Sequence, residues 1–161
     1  GHEWFQLYLN GTHISNAGAK EYDVAKKKIS ENVEKIHNSI SLLLENLNLK
    51  MTDCFVMGFS QGGMMAFELG QIFQNQLAGL AIISSRIISK EHKPNNAFLK
   101  TPIFISHGAQ DTVLPISNYN ESLEVLKKYN YNYENYLIES DEHTMSQETI
   151  TFFQNFIKKN I

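Results

Sequence analysis

Apolar positions along this 161-residue chain change period several times. From about Glu21 to Leu47, Val24, Ile29, Val33, Ile36, Ile40, Leu43, Leu44 and Leu47 recur at helical spacing, with lysines and glutamates on the other face. This predicts an amphipathic crossover helix docked on a sheet. Short apolar runs bounded by turn residues predict strands at about Cys54–Phe59, Leu80–Ser84, Ile103–Ser106 and Tyr133–Ile138. Helical patterns separate them at about Gly62–Phe73, Asn118–Tyr129 and Ser146–Lys159. Strands alternating with helices predict an α/β fold: a parallel sheet with helices on both faces and right-handed crossovers. Two stretches lack a period. The chain up to Gly18 reads as irregular, and the segment from Arg86 to Lys100 shows no clear helix. Within the latter, Lys90 to Asn96 reads as a loop over the functional end of the sheet. With no repeat and no linker, residues 1–161 form one domain.

The first strand runs into Gly58-Phe59-Ser60-Gln61-Gly62-Gly63 and then a helix. Strand, G-x-S-x-G, helix is the pattern of a nucleophile elbow, in which a serine sits on a turn too tight for side chains two positions away. Gly58 and Gly62 are therefore expected to make room for the turn, leaving the Ser60 hydroxyl exposed. The bland alternative is a glycine-rich turn with an incidental serine.

A serine hydroxyl needs a base within hydrogen-bond reach, and the base needs an orienting acid. The third strand ends in His107-Gly108-Ala109-Gln110-Asp111, which puts Asp111 in a loop at the carboxyl end of the sheet, although such a stretch also reads as a polar turn. The fourth strand leads into Glu139-Ser140-Asp141-Glu142-His143, so His143 is expected at the same rim. The other histidines fit less well. His2 and His13 precede the first helix, His37 lies within it, and His92 is in a charged loop. His107, before Gly108, reads as a packed scaffold residue.

Taken together, Gly58-Phe59-Ser60-Gln61-Gly62-Gly63, Leu77-Ala78-Gly79, His107-Gly108 with Asp111 and Pro115, and finally His143 resemble the phospholipase/carboxylesterase family, which includes acyl-protein thioesterases. The likeness runs from Trp4-Phe5 to the carboxyl terminus. It implies an α/β-hydrolase fold, with Ser60 as nucleophile, Asp111 as triad acid, His143 as general base and the Gln61 backbone N–H as an oxyanion donor. It also implies a serine hydrolase of carboxylic esters or thioesters that needs no metal or cofactor. Small molecules or lipids carrying an acyl ester or thioester are the expected substrates. Candidate walls of an acyl pocket are Trp4, Phe5, Leu7, Ile87 and Ile88, with Trp4 and Phe5 equally readable as plain core aromatics.

The family pattern also contains an upstream His-Gly-Leu-Gly-type loop with no counterpart here. The chain is therefore expected to correspond to the carboxyl-terminal two-thirds of the usual domain, with roughly 60–80 residues lacking by comparison with typical topology. That would leave one edge of the Cys54–Phe59 strand open to a second copy or to a complementing amino-terminal chain. The alternative to an active hydrolase is accordingly a catalytically impaired remnant that binds acyl groups or a partner.

Composition narrows the setting. A net charge of −3, with Arg86 the only arginine, supplies no basic surface for nucleic acid. The single cysteine, Cys54, fits a reducing, cytoplasmic compartment. No apolar run approaches the ~18 residues of a membrane span.

Overall fold

The computed structural model describes residues 3–161; His2, expected in irregular chain, lies outside the described residues. Instead of an irregular start, the chain forms a small antiparallel hairpin, β1 (Tyr8–Leu9) and β2 (Thr12–His13). Asn10 and Gly11, at φ 50° and 80°, make its two-residue turn, the left-handed pair that matches hairpin twist. A 3-10 turn, Ile14–Asn16, follows.

Helix α1 (Ala19–Asn46) starts where the Glu21 carboxylate accepts the Gly18 N–H at 2.9 Å. It packs chiefly on the next helix, α2 (Gln61–Ile72), and its apolar stripe joins the same cluster as the sheet residues Val56, Leu80 and Ile82. Its buried stripe is Ala25, Ile29, Val33 and Leu44, joined by the partly buried Ile36 and Ile40. Val24, Leu43 and Leu47, which shared the apolar period, point to solvent.

The main sheet is parallel throughout, in the order β3 (Phe55–Phe59), β4 (Gly79–Ile83), β5 (Ile103–Gly108) and β6 (Tyr133–Ile138). Alternation divides the core. Val56, Leu80, Ile82, Ile103 and Ile105 face α2 and α4 (Ile116–Lys128, preceded by the short α3, Asn96–Lys100). Phe55, Ala81, Ile83, Phe104 and Tyr136 face α5 (Gln147–Lys159), where Phe152, Phe153 and Phe156 complete an aromatic cluster. Helices thus cover both faces. The outer edge of β3 pairs with no described strand, and Met57 and Phe59 on it are exposed.

The Lys90–Asn96 connection does not lie over the functional rim. His92 accepts the Tyr131 hydroxyl at 2.8 Å, just before β6, and Asn95 donates to the carbonyl of Gln71 at 2.7 Å, in the last turn of α2. Those anchors are at the amino-terminal end of the strands. Buried aromatic surface on Phe67, Phe98 and Tyr131 draws the segment down there.

The turn between β3 and α2 is built on close backbone contact. A Cβ on Gly58 would lie 2.0 Å from the carbonyl oxygen of Gly62. Gly62 itself has open space where a Cβ would go, so it is not the second crowded position. Gly63 is, because a Cβ there would meet the Ser85 side chain at 2.6 Å. Replacing Gly58 with alanine is therefore expected to lower stability by about 2 kcal/mol or more through forced backbone displacement. Gly62→Ala is expected to gain about 0.5–1 kcal/mol by restricting the unfolded chain and favouring helix. Equilibrium denaturation of the two variants checks the contrast.

Between α1 and α2, the Glu68 carboxylate accepts hydrogen bonds from the Ser89 and Tyr22 hydroxyls. Burial pushes its pKa above the usual 4.5, against the pull of those two donors. A carboxyl group with a raised folded-state pKa contributes stability that is complete below its unfolded value and is lost as pH rises through the folded value. Thermal melts between about pH 5 and about pH 8 are expected to show wild type losing more stability than Glu68→Gln, by at most about 1.4 kcal/mol per pH unit.

Candidate active site

Ser60 closes β3 and opens α2 with φ 53° and ψ −122°, a left-handed backbone that an L-residue adopts only under constraint. The constraint is visible on both sides. The Ser60 N–H continues the sheet ladder to the carbonyl of Ile83 at 2.9 Å. Its own carbonyl accepts the Gly63 N–H at 3.0 Å and the Ser85 hydroxyl at 2.6 Å. The side chain is thereby left free of the helix it caps.

Asp111 follows β5. Its side chain is fully buried, with Oδ1 accepting the N–H groups of Val113 (2.9 Å) and Leu114 (2.8 Å). His107, also buried, donates from Nε2 to the Leu114 carbonyl at 2.8 Å, with the same nitrogen 3.6 Å from Asp111 Oδ2. Burial lowers the pKa of this imidazole, which keeps it neutral beside the carboxylate. The expected scaffold role of His107 matches this placement.

His143 sits on the loop after β6. That loop rests directly on Gly108, where a Cβ would come 2.2 Å from the carbonyl oxygen of Asp141. The Gln110 N–H donates to the same carbonyl at 2.9 Å. The result is one continuous path: His143 Nδ1 lies 2.7 Å from Asp111 Oδ2, and His143 Nε2 lies 2.9 Å from Ser60 Oγ. A carboxylate only accepts, so Nδ1 donates to Asp111 and Nε2 of the neutral ring is left to accept the serine proton. The imidazole is 17% exposed and packs against Phe59, ring centroids 5.0 Å apart. A dry carboxylate, a partly shielded imidazole and a hydroxyl on a strained turn thus lie in one hydrogen-bonded line.

Gln61, the first residue of α2, has no carbonyl one turn back for its N–H. Its side chain does something sequence reasoning missed. Oε1 accepts the Trp4 N–H at 2.9 Å, and Nε2 donates to the Phe5 carbonyl at 2.7 Å. This clamps the amino-terminal segment beside the elbow, with Asn32 holding the Trp4 carbonyl from α1.

Of the expected pocket walls, only Trp4 (44% exposed) and Leu7 present side-chain surface. Phe5, Ile87 and Ile88 are 2%, 1% and 8% exposed and belong to the hydrophobic core, Phe5 also lining a cavity with Trp4, Leu9 and Val24. The cause for Ile87 is the Ser122 hydroxyl of α4, which takes the Ile87 N–H at 2.9 Å and turns this stretch inward. Ile88 borders a separate cavity with Ile14, Ala17 and Tyr22.

Comparison with known proteins bears on the fold and the family. Acyl-protein thioesterase 1 of Gibberella zeae is 29% identical over 163 residues, covering 98% of this chain and 68% of that protein. Acyl-protein thioesterase 1 of Debaryomyces hansenii is 23% identical, covering 94% of this chain and 70% of that protein. Among solved structures, Arabidopsis thaliana SOBER1 superposes with TM-score 0.81 at 21% identity, covering 98% of this chain and 73% of that one. The Bacillus cereus carboxylesterase gives TM-score 0.79 at 14% identity, covering 99% and 69%. At those identities the structures establish the α/β-hydrolase fold. The phospholipase/carboxylesterase family pattern matches residues 3–161, and the chain belongs to that family of hydrolases.

Proposed function

We propose that the chain acts as a serine hydrolase of carboxylic esters or thioesters, with Ser60, His143 and Asp111 as a catalytic triad and an acyl-enzyme on Ser60. The observation that carries this reading is the unbroken path from Asp111 Oδ2 through His143 to Ser60 Oγ, at 2.7 and 2.9 Å. His143 Nε2 takes the hydroxyl proton as Ser60 Oγ bonds to the acyl carbon, and the imidazolium is stabilised by Asp111. The same proton then passes to the departing alkoxide or thiolate. Water, deprotonated by His143, attacks the acyl-enzyme and releases the acid. The Gln61 N–H, with the positive end of the α2 dipole behind it, is one donor to the oxyanion. Trp4 and Leu7 offer apolar surface for the acyl chain. The proposal includes a cytoplasmic setting, which the lone thiol of Cys54 suits.

A second reading, a module that binds acyl groups or a partner without turnover, is favoured by the open edge of β3. That edge pairs with no described strand and exposes Met57 and Phe59, which suits strand addition from a second copy or a complementing chain.

A fluorophosphonate probe followed by intact-mass analysis separates the two. The hydrolase reading expects one adduct on wild type, none on Ser60→Ala, and labelling slowed at least ~100-fold in His143→Ala. Wild-type protein that folds yet takes no adduct would favour the binding module.

A further inference from the structure

Two consecutive hydroxyls at the end of β4 touch both halves of the candidate site. The Ser85 hydroxyl donates to the carbonyl of Ser60 at 2.6 Å. The Ser84 hydroxyl donates to the carbonyl of Thr144, the residue after His143, at 3.0 Å. Both serines are essentially fully buried. Ser84 has φ 42°, a left-handed conformation that glycine would adopt more readily. Its N–H still pairs with the carbonyl of Ser106 on β5 at 2.9 Å, so the strained residue is held firmly in the sheet.

We propose that Ser84 and Ser85 are positioning residues, a brace from the central strand that sets the separation between the Ser60 hydroxyl and the His143 imidazole. The geometry explains details that the triad alone leaves without a reason. β4 lies between β3 and β5, so its tip is within reach of the nucleophile turn on one side and the histidine loop across the rim. One peptide unit separates the two residues, so their α-carbons stand about 3.8 Å apart and the two hydroxyls hold their acceptors from one short stretch of chain. The third glycine of the motif belongs to the same device. A Cβ on Gly63 would lie 2.6 Å from Ser85 Cβ and 2.7 Å from its Oγ, so glycine clears the space through which Ser85 reaches the Ser60 carbonyl. The Thr144 carbonyl, tied to Ser84, keeps the histidine loop from riding up off Gly108. Neither serine touches the reacting atoms; both act through backbone carbonyls.

This inference rests on the hydrolase reading for its effect on rate, but not for its effect on geometry, and the test uses both. Ser84→Gly keeps the left-handed backbone accessible and removes the Cβ with its hydroxyl; Ser85→Ala deletes the other hydroxyl. For each variant, a crystal structure reads the Ser60 Oγ to His143 Nε2 separation, and ester hydrolysis reads kcat and KM. The brace predicts a separation lengthened beyond hydrogen-bond range or split into two conformers, with kcat lowered about 10- to 100-fold and KM nearly unchanged. Unchanged separation in both variants overturns the brace, whatever the activity. Altered separation in variants of a wild-type protein that shows no hydrolysis would support the brace and sink the hydrolase reading. Should Ser84→Gly fail to fold, Ser85→Ala alone decides, because its loss leaves the histidine loop tied.

Discussion

The arrangement depends on one steric fact: the end of β3 and the start of α2 occupy nearly the same space. A Cβ on Gly58 would overlap the Gly62 carbonyl, so the strand can pass into the helix within a single residue only if position 58 has no side chain. That residue, Ser60, is forced to φ 53°. Strain of this kind persists when the surroundings over-determine it, and here they do, through the ladder bond to Ile83 and the Ser85 hydroxyl beneath. A relaxed turn would let the hydroxyl fold back to cap its own helix and remove it from the rim.

The remaining chemistry follows from parallel strands sharing a direction. β3, β5 and β6 all end at one rim, and each delivers one group there: hydroxyl, carboxylate, imidazole. Convergence to hydrogen-bond range requires more than a shared rim. Gly108 lets the histidine loop lie directly on the acid loop. Two backbone N–H groups aim Asp111 so that its second oxygen meets His143. Burial of Asp111 and His107 excludes water from the acid side, leaving the serine side accessible.

Much of this was legible in the chain. The four strands of the main sheet lie within two residues of their expected spans, because each apolar run is bounded by turn residues and the inner pair, β4 and β5, is buried on both faces. The meeting of Ser60, Asp111 and His143 at one rim was legible because each follows directly on an expected strand. Other features were not read correctly. Asn10-Gly11 carries a strong hairpin signal, but its flanking strands are only two residues long and show no alternation. The outward Val24, Leu43 and Leu47 share the period of the buried stripe, and nothing local says whether α1 meets a helix or a sheet. Ile87 follows a strand end, where an apolar residue reads the same whether it walls a pocket or the core; a hydroxyl on α4, distant in sequence, holds its backbone. The role of Gly62 was assigned from the motif, whereas the second tight position is Gly63, crowded by Ser85 far along the chain.

The central claim is that the His143 ring is held in one tautomer, proton on Nδ1 toward Asp111 and lone pair on Nε2 toward Ser60. Nitrogen-15 and proton NMR of the His143 ring near neutral pH measures this directly. The account predicts a neutral ring protonated at Nδ1, with that proton shifted far downfield by the carboxylate, and a bare Nε2; Asp111→Asn should exchange the tautomer. A wild-type ring protonated at Nε2 with Nδ1 bare would contradict it.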